Sequence, residues 1–418
     1  MGLKIAVVGA GLSGVTTAFE LAALGAQVHV FERGGSVAEQ ASFASNAQLR
    51  PWLPGLPDAT NTAPLAFRLK HWRQRTRTQA GQAAWTAVSL LGLRRAATLR
   101  HEFNIDDESA EGVLVALSDD KQAAALRELL PVWSAAGVQV SELDAAQSRA
   151  AEPGLNTDAP LVGSLRIDGG VGNARLFAQQ LRHQAQRRGV EFRFHTTVRR
   201  LTDAAGGVVL THEHTPPDEP ALRTTPRDAG DTLPQPMGPQ DDRFDAVVLC
   251  NGLDAPALLG RRLPLFAQLE ATVTAPLRLL EAHPDLGPKA GWLDAARGVS
   301  VARIGQRVRV TGALRITSPN ATPSNRADAF ESLHQCLQTW FPGCVPHQQV
   351  QQGLSRRAIA ADGLPLLGAS GRPGVWLNLP TGGHGWGSAC GAAHSLAQMI
   401  AGQPPAADLA ALSPTRLA

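Results

Sequence analysis

A chain of 418 residues with 44% apolar residues is too long for one simple core, so two domains are expected. Its 39 basic and 36 acidic side chains nearly balance, and a net +3 gives no electrostatic reason to invoke nucleic acid. No run reaches the roughly eighteen apolar residues of a membrane span; the best candidate, Ala83–Leu93, ends at Arg94 and Arg95. Lys4 leads directly into a strand, with no signal-peptide pattern before it. Four cysteines (Cys250, Cys336, Cys344, Cys390) show no C-x-x-C spacing and no paired histidines accompany them. Free thiols in a reducing, cytoplasmic compartment and no metal site are the expectation.

Lys4–Val8 (KIAVV) is a short, mostly apolar run rich in β-branched residues, which suits a buried parallel strand. It runs into Gly9, Ala10, Gly11, Leu12, Ser13 and Gly14, a G-x-G-x-x-G turn. Thr16–Leu24 then carries apolar residues at helical spacing and Gly25 stops the helix. Gln27–Phe31 reads as a second strand, ending at Glu32 and Arg33 about twenty residues beyond the glycines. Each residue type has a task in binding a dinucleotide. Gly9 permits the tight turn, Gly11 lets the backbone approach a pyrophosphate, and Gly14 lets helix and strand pack closely. The helix N-terminus offers free N–H groups to phosphates, and Glu32 would accept hydrogen bonds from a ribose. The glycines alone would be weak evidence; the whole strand–turn–helix–strand–acid unit predicts a dinucleotide site.

Ser36–Pro57, small and polar before Arg50, Pro51 and Trp52, reads as a loop suited to pass beside a flat ligand. Ala63–Phe103 has helical periodicity, with Trp72, Trp85, Leu91 and Leu99 at core positions. Gly112–Leu117 reads as a strand, Lys121–Ala136 as an amphipathic helix, Val138–Leu143 as a strand and Asp144–Glu152 as a short helix. Ser164–Leu201 holds a strand, a glycine-rich turn, a helix Ala174–Arg188 capped by Asn173, and a strand Glu191–His195. Val208–His212 and Phe244–Leu249 read as the two arms of a hairpin. Between them Thr215–Arg243, crowded with proline, glycine and charge, is expected to be a mobile surface loop. Phe244–Gly252 is a buried strand emerging at Asn251 and Gly252. Leu263–Pro276 and Val299–Leu314 read as strands, the latter placing Arg303, Arg307 and Arg309 on one face, and Asp328–Trp340 as a helix. Near the end, a strand Val375–Leu379 meets Gly382, Gly383, Gly385 and Gly387, and a helix runs on to Met399. Two glycine-rich strand-to-helix turns at opposite ends of one chain predict a single ligand held from both ends.

With these residues laid out, the chain resembles the D-amino-acid-oxidase superfamily of FAD-dependent oxidoreductases, and within it the D-amino acid dehydrogenases, over nearly its whole length. The resemblance implies that Gly9 to Gly14, Glu32 and Arg33 bind the ADP half of FAD. The family's Ser-x-x-Asn-Ala-Gly loop, which lies along the flavin, is matched by Ser42–Ala47, implying Ser45 and Asn46, with Gln48 where glycine is usual. A middle signature resembles Asp168–Phe177, with Gly172–Asn173 for the usual Gly-Asp. Val198 matches the valine whose backbone meets the adenine, and Asn251–Gly252 stand at the Ala-x-Gly of the return strand. The family's Arg-Pro-x-x-x-Asp-Gly-x-Pro-x-x-Gly resembles Arg357–Gly368, with Ala358 for proline. In glycine-oxidase relatives that arginine holds the substrate carboxylate, which implies Arg357; Arg356, or Arg303, Arg307 and Arg309 from the second domain, are its rivals. The closing Gly-His-Gly resembles Gly383, His384 and Gly385, which with Gly382 and Trp386 would face the flavin's pyrimidine edge.

The implied fold is α/β. A Rossmann-like FAD-binding domain would be assembled from residues 1–62, 151–262 and 353–418, and an α+β, mixed-sheet substrate domain from 63–150 and 263–352. The implied reaction is oxidation of an amino acid, a D-amino acid first, by hydride transfer from Cα to flavin N5. The imine formed would hydrolyse to a 2-oxo acid and ammonia. Arginine's planar fork suits Arg357 to a carboxylate. His384 would assist proton balance or serve as a structural hydrogen-bonding group; no side-chain base is compulsory. FAD is expected to be non-covalent, because no His or Cys is near the N-terminal glycine loop, which leaves Cys390 and His384 as sites for a link. The absence of tyrosine removes one side chain that flavoenzymes often place above the flavin. Electrons would pass to a quinone or to oxygen, and peripheral contact with the inner face of the membrane is compatible with this. The alternatives are an oxygen-using oxidase of glycine, sarcosine or other N-substituted amino acids, an NAD-dependent dehydrogenase, and a non-catalytic flavoprotein subunit. The C-terminal glycine cluster argues against the NAD enzyme, while the departures at Gln48, Asn173 and Ala358 raise the last.

Overall fold

A computed structural model describes the whole chain except residues 1, 57–63, 65–66, 68–77, 215–237, 279, 282–284, 321–326, 347–349, 381 and 418. Lys4–Val8 lies inside a six-stranded sheet ordered Leu366–Ala369, Val375–Leu379, Ala246–Leu249, Lys4–Val8, Gln27–Phe31, Glu191–Arg193. Every neighbouring pair is parallel except the first. Ile5 and Val7 point to one face and pack with helices Leu12–Ala23, Thr78–Phe103, Ala174–Arg187 and Gly385–Ile400. Ala6 and Val8 point to the other and pack with Leu201, Val208 and Leu210 of a three-stranded sheet, Thr196–Ala204, Gly207–His214 and Gln240–Phe244. Cover on both faces explains why Ile5–Val8 is apolar throughout rather than alternating. The rows Val8–Phe31 and Val8–Leu249 align the strands' carboxyl ends, beyond which a crevice opens.

A second sheet has nine strands. Its path is Gln351–Ala360, Leu265–Pro276, Arg307–Thr317, Val299–Ile304, Gly291–Asp294, Ala110–Leu117, Gly163–Val171 and Gln48–Leu49, and Val140–Asp144 also pairs with Gly163–Val171. Ala271, Val273, Ala275, Val308 and Val310 pack one face onto helix Ala327–Trp340 through Leu333, Leu337 and Trp340. The period-two alternation of a strand then turns Gln268, Glu270, Thr272, Thr274, Arg309 and Thr311 to the opposite face, where all six are buried. That buried polar face is the feature of the fold that bears on function.

Several sequence expectations need correction. Val299–Leu314 is a hairpin turning at Gly305 and Gln306, not one strand, so Arg303 does not share a strand with Arg307 and Arg309. Arg303 donates to the Gly305 carbonyl, while Arg307 pairs with Glu108 at 2.6 Å. Lys121–Ala136 forms two helices, Asp120–Arg127 and Leu130–Ala135; Pro131 opens the second and has no N–H with which to continue the first. The hairpin partner of Gly207–His214 is Gln240–Phe244, after which the chain turns so that Ala246–Leu249 joins the parallel sheet. Residues 240–243 of the expected surface loop are therefore strand, and residues 215–237 lie outside the described residues. Trp72 also lies outside them, whereas Trp85 and Leu99 are fully buried and Leu91 packs at the core's edge. Asn173 caps its helix as expected, accepting from the Leu176 N–H at 3.2 Å.

The helical layer is tied by charge as well as by packing. Buried Glu20 accepts from Arg95 at 2.7 and 3.2 Å and meets His394 at 2.9 Å, joining helices Leu12–Ala23, Thr78–Phe103 and Gly385–Ile400. Burial opposes ionisation of Glu20, but hydrogen bonds from His394 and Arg95 outweigh it and hold the carboxyl below its ordinary 4.5. Glu20→Ala is expected to lower stability by about 3 kcal/mol, since it leaves Arg95 without its partner. A carboxyl depressed in the fold contributes stability that is present above 4.5 and lost as pH falls through the depressed value. Denaturant unfolding should therefore show the gap between wild type and variant closing on acidification. A gap that stays constant from about pH 7 to about pH 3 would contradict the assignment.

Candidate active site

A cleft of about 910 Å³ runs from the carboxyl ends of the central strands to the polar face of the large sheet. At its first end lie Gly9, Gly11, Leu12 and Ser13. Gly9 has φ +98°, and a Cβ there would come within 3.2 Å of the Cys250 backbone. Gly14 does not line the cleft: a Cβ on it would meet the Gly9 carbonyl oxygen at 1.8 Å, so the helix rests directly on the turn. Ala10 is also buried away from the cleft, and its N–H donates to Glu32 Oε2 at 2.7 Å. Glu32 Oε1 accepts from the Gly34 N–H at 2.7 Å. A carboxylate has about four lone-pair sites, so the side chain that shapes the turn keeps acceptors for a ligand.

Arg33 pairs with Asp254 at 3.0 Å on the cleft's exposed rim. Val198 lines the cleft at a β-bulge between Val198 and Arg200, which interrupts the ladder and frees backbone groups there. Asn251 and Gly252 complete this end, Gly252 at φ +58°. The Asn251 side-chain oxygen is buried and accepts no hydrogen bond among the described residues.

At the other end the loop Ser42–Ser45 forms a wall. Arg309 donates through Nε to Thr274 Oγ1 at 3.1 Å and through Nη1 to the Phe43 and Ser45 carbonyls at 3.0 and 3.1 Å. Arg357 pairs through Nε with Glu270 and donates through Nη2 to the Ala44 carbonyl at 2.8 Å. Arg309 is buried and has no ion pair with a carboxylate among the described residues. Burial, then the nearby charges of Arg307 and Arg357, lower it to about 10, so it remains a cation at neutral pH. Strand alternation sends Arg357 inward and leaves Arg356 exposed, donating to the Pro319 carbonyl at 3.2 Å.

Gly382, at φ +50°, Gly385 and Trp386 line the main cleft from the C-terminal turn. The Trp386 ring is buried against Phe177 and its indole N–H donates to the Gly172 carbonyl at 3.3 Å. Asn46, Gly383 and His384 line instead a separate small cavity of about 40 Å³, with Gln268 and Glu270; it shares no lining residue with the main cleft. Asn46 Nδ2 donates to the Gly383 carbonyl at 3.2 Å, joining the two loops.

Glu270, Thr272 and Thr274 were not singled out from the sequence, although Gln268–Ala275 (QLEATVTA) alternates polar and apolar as a strand with one polar face should. Cys250 was passed over as well. It is distant in sequence from the glycine loop, yet it lies against Gly9 and lines the cleft. Its thiol faces Thr17 Oγ1 at 3.9 Å, and burial pushes it up to about 12, which keeps it protonated and unreactive.

The residues present fit FAD. The turn at Gly9 and Gly11 is bare where phosphates would lie, Glu32 retains acceptors for a ribose, and Asn251 holds an unsatisfied buried oxygen. A mostly parallel sheet with this turn at its switch from strand to helix, beside a second, mixed sheet, defines a dinucleotide-binding protein. The chain belongs to the DAO family of FAD-dependent oxidoreductases, whose sequence model matches residues 4–399. It is 29% identical to a D-amino acid dehydrogenase of Rhizorhabdus wittichii, over 97% of this chain and 98% of that one. A D-amino acid dehydrogenase of Cereibacter sphaeroides is 30% identical, over 100% and 96%. Among solved structures, glycine oxidase from Geobacillus kaustophilus superposes with TM-score 0.70 at 21% identity, covering 99% of this chain and 98% of that one. L-proline dehydrogenase from P. horikoshii gives 0.74 at 13% identity, over 99% and 97%. Among the described residues no helix is long and apolar enough to cross a membrane, and no group of His, Cys, Asp or Glu could hold a metal ion.

Glu32→Ala is expected to raise the FAD dissociation constant about tenfold or more, the effect of losing one charge-assisted hydrogen bond. Titration of apoprotein with FAD measures this, and an unchanged constant would remove Glu32 from the site.

Proposed function

We propose that the chain oxidises a D-amino acid at Cα, giving an imine that hydrolyses to a 2-oxo acid and ammonia. One observation carries this reading: a buried sheet face at the far end of the FAD cleft presents two guanidinium groups, Arg309 and Arg357, to whatever enters. Bound FAD would supply the acceptor for the hydride lost from Cα. The chain's own task is to orient the substrate and exclude water around it. Arg357 is suited to the carboxylate because Glu270 and the Ala44 carbonyl fix the plane of its fork, while its Nη1 has no partner among the described residues. Lysine in its place would offer only a point charge. Arg309 adds a second positive charge to the same wall.

The names of the curated relatives support the D-enantiomer and, being dehydrogenases, an electron carrier such as a quinone over oxygen. For the cofactor-binding roles we keep Gly9, Gly11, Leu12, Ser13, Glu32, Arg33, Ser45, Val198, Asn251, Gly252, Gly382, Gly385 and Trp386, which line the cleft. Ala10, Gly14, Asn46 and Gly383 shape it from behind. His384, which begins the last helix and lines the small cavity, is assigned a structural role. FAD is proposed to be non-covalent, in keeping with the protonated Cys250 and with Cys390, whose thiol burial also pushes up to about 12. The FAD-binding domain is assigned to residues 1–62, 151–262 and 353–418 and, against the sequence expectation, also to helix Thr78–Phe103, which packs on its parallel sheet; strands Gln48–Leu49, Gly163–Val171 and Gln351–Ala360 cross into the large sheet.

Anaerobic mixing with a panel of D- and L-amino acids and N-methylated glycines tests the reaction. Bleaching of the flavin by D-amino acids is expected; bleaching only by N-methylated glycines would transfer the activity to those donors, and none at all would leave a flavoprotein without catalysis. Arg357→Lys should weaken binding of the reactive amino acid by about 2–5 kcal/mol while FAD content and absorbance stay normal. Should Arg356→Lys alone have that effect, the carboxylate belongs to Arg356.

A further inference from the structure

Glu270 is a buried carboxylate with half of its capacity in use. Its side chain is 4% exposed, and Oε2 is paired with Arg357. Oε1 accepts no hydrogen bond among the described residues. The surroundings keep that oxygen open: a Cβ on Gly383 would crowd Oε1 at 3.1 Å, and glycine carries none. Beside it the small cavity of about 40 Å³ is lined mainly by polar side chains, among them Asn46, Gln268 and His384. Such a volume admits a water-sized group, which is also the size of an amino group. Arg357 stands on the other side of the pair and lines the main cleft, whereas Glu270 lines only the small cavity.

An α-amino acid carries its ammonium and carboxylate on one carbon, so a carboxylate held by Arg357 brings the nitrogen toward Glu270. An ammonium offers donors only, and its strongest partner is an ionised oxygen. Resting on the amino-acid reading above, we propose that Glu270 anchors the substrate's amino group through Oε1, so that the Glu270–Arg357 pair recognises both charged groups of one substrate. The competing role is purely internal, with Glu270 doing no more than holding Arg357 in position.

Two ligands that cannot be oxidised separate these roles. Both 2-methylalanine and 2,2-dimethylpropanoate lack a Cα–H, and they differ by an ammonium in place of a methyl group. Binding to the FAD-loaded protein is read by calorimetry and by perturbation of the flavin spectrum. Wild type is expected to bind 2-methylalanine about tenfold tighter or more, as a charge-assisted contact requires. E270Q should lose that preference through weaker binding of 2-methylalanine, with 2,2-dimethylpropanoate bound as before or more tightly because Arg357 is released. E270D, which keeps the charge at shorter reach, should retain part of the preference, and it carries the test should E270Q fail to hold FAD. Equal affinity of wild type for the two ligands overturns the proposal without any variant, and so does equal weakening of both in E270Q. If wild type binds neither ligand and no amino acid bleaches the flavin, the amino-acid reading fails first, which is a different result from loss of the preference alone.

Discussion

Three consecutive carbonyls, those of Phe43, Ala44 and Ser45, are gripped by two guanidinium groups reaching across from the large sheet. Much of the site depends on this contact, because it makes a loop of the nucleotide-binding half the wall of a cleft whose floor belongs to the other half. Hydrogen bonds from an ionised donor are shorter and stronger than neutral ones, so a loop with little secondary structure of its own acquires a fixed path. The segment beyond it is similarly over-determined. Ala47 sits at φ +61°, unusual for a residue with a Cβ. It is held there by its N–H to Ser45 Oγ and by the Gly172 N–H on its carbonyl. Ser300 Oγ also donates to the Asn46 carbonyl at 3.3 Å. Strain of this kind persists only where neighbours impose it, and it leaves the cleft pre-shaped. Arg309 receives dipoles rather than a counter-ion from the loop, which only partly offsets its desolvation; an anion in the cleft would complete its shell.

What could be read from the sequence was whatever is encoded within one turn or one supersecondary unit. The strand, glycine turn, helix and terminal acid of residues 4–32 carry their meaning in spacing, and the helix cap at Asn173 is written in the residue itself. The sheet floor is a different kind of object. The alternation QLEATVTA announces a strand with one polar face, but nothing local says that the face is buried, or that Arg357 comes beside Glu270 from residues far along the chain. Val299–Leu314 has the apolar run of one strand, and its division lies in Gly305–Gln306, a two-residue turn for which glycine at the first position is suited. Cys250 reads from the sequence only as a free thiol, whereas parallel strands place the ends of remote segments side by side and bring it to Gly9.

The departures from the family pattern are absorbed locally. Gln48, where glycine is usual, is buried; its Oε1 accepts from Arg50 Nε at 3.0 Å and its Nε2 donates to the Trp292 carbonyl at 3.5 Å. Asn173 caps its helix as an aspartate would and adds a bond to Glu108 at 2.9 Å. Ala358 lies inside a long strand opposite Ala267. None of the three empties the cleft or breaks an element that lines it.

The order of the central sheet bears on how the molecule is made. Its strands come from residues 4–31, 191–193, 246–249 and 366–379, and the helix that completes its cover ends at Ile400. Glu20 meets His394 across 374 residues of sequence. A ribosome delivering about 5–20 residues each second therefore exposes the nucleotide-binding turn well before the segments that close over it. Until then the apolar strands at 4–8 and 27–31 have edges without neighbours, the condition in which chains associate wrongly. Folding of this half is therefore dominated by long-range pairing, whose loop-closure entropy is lost before the contacts reward it.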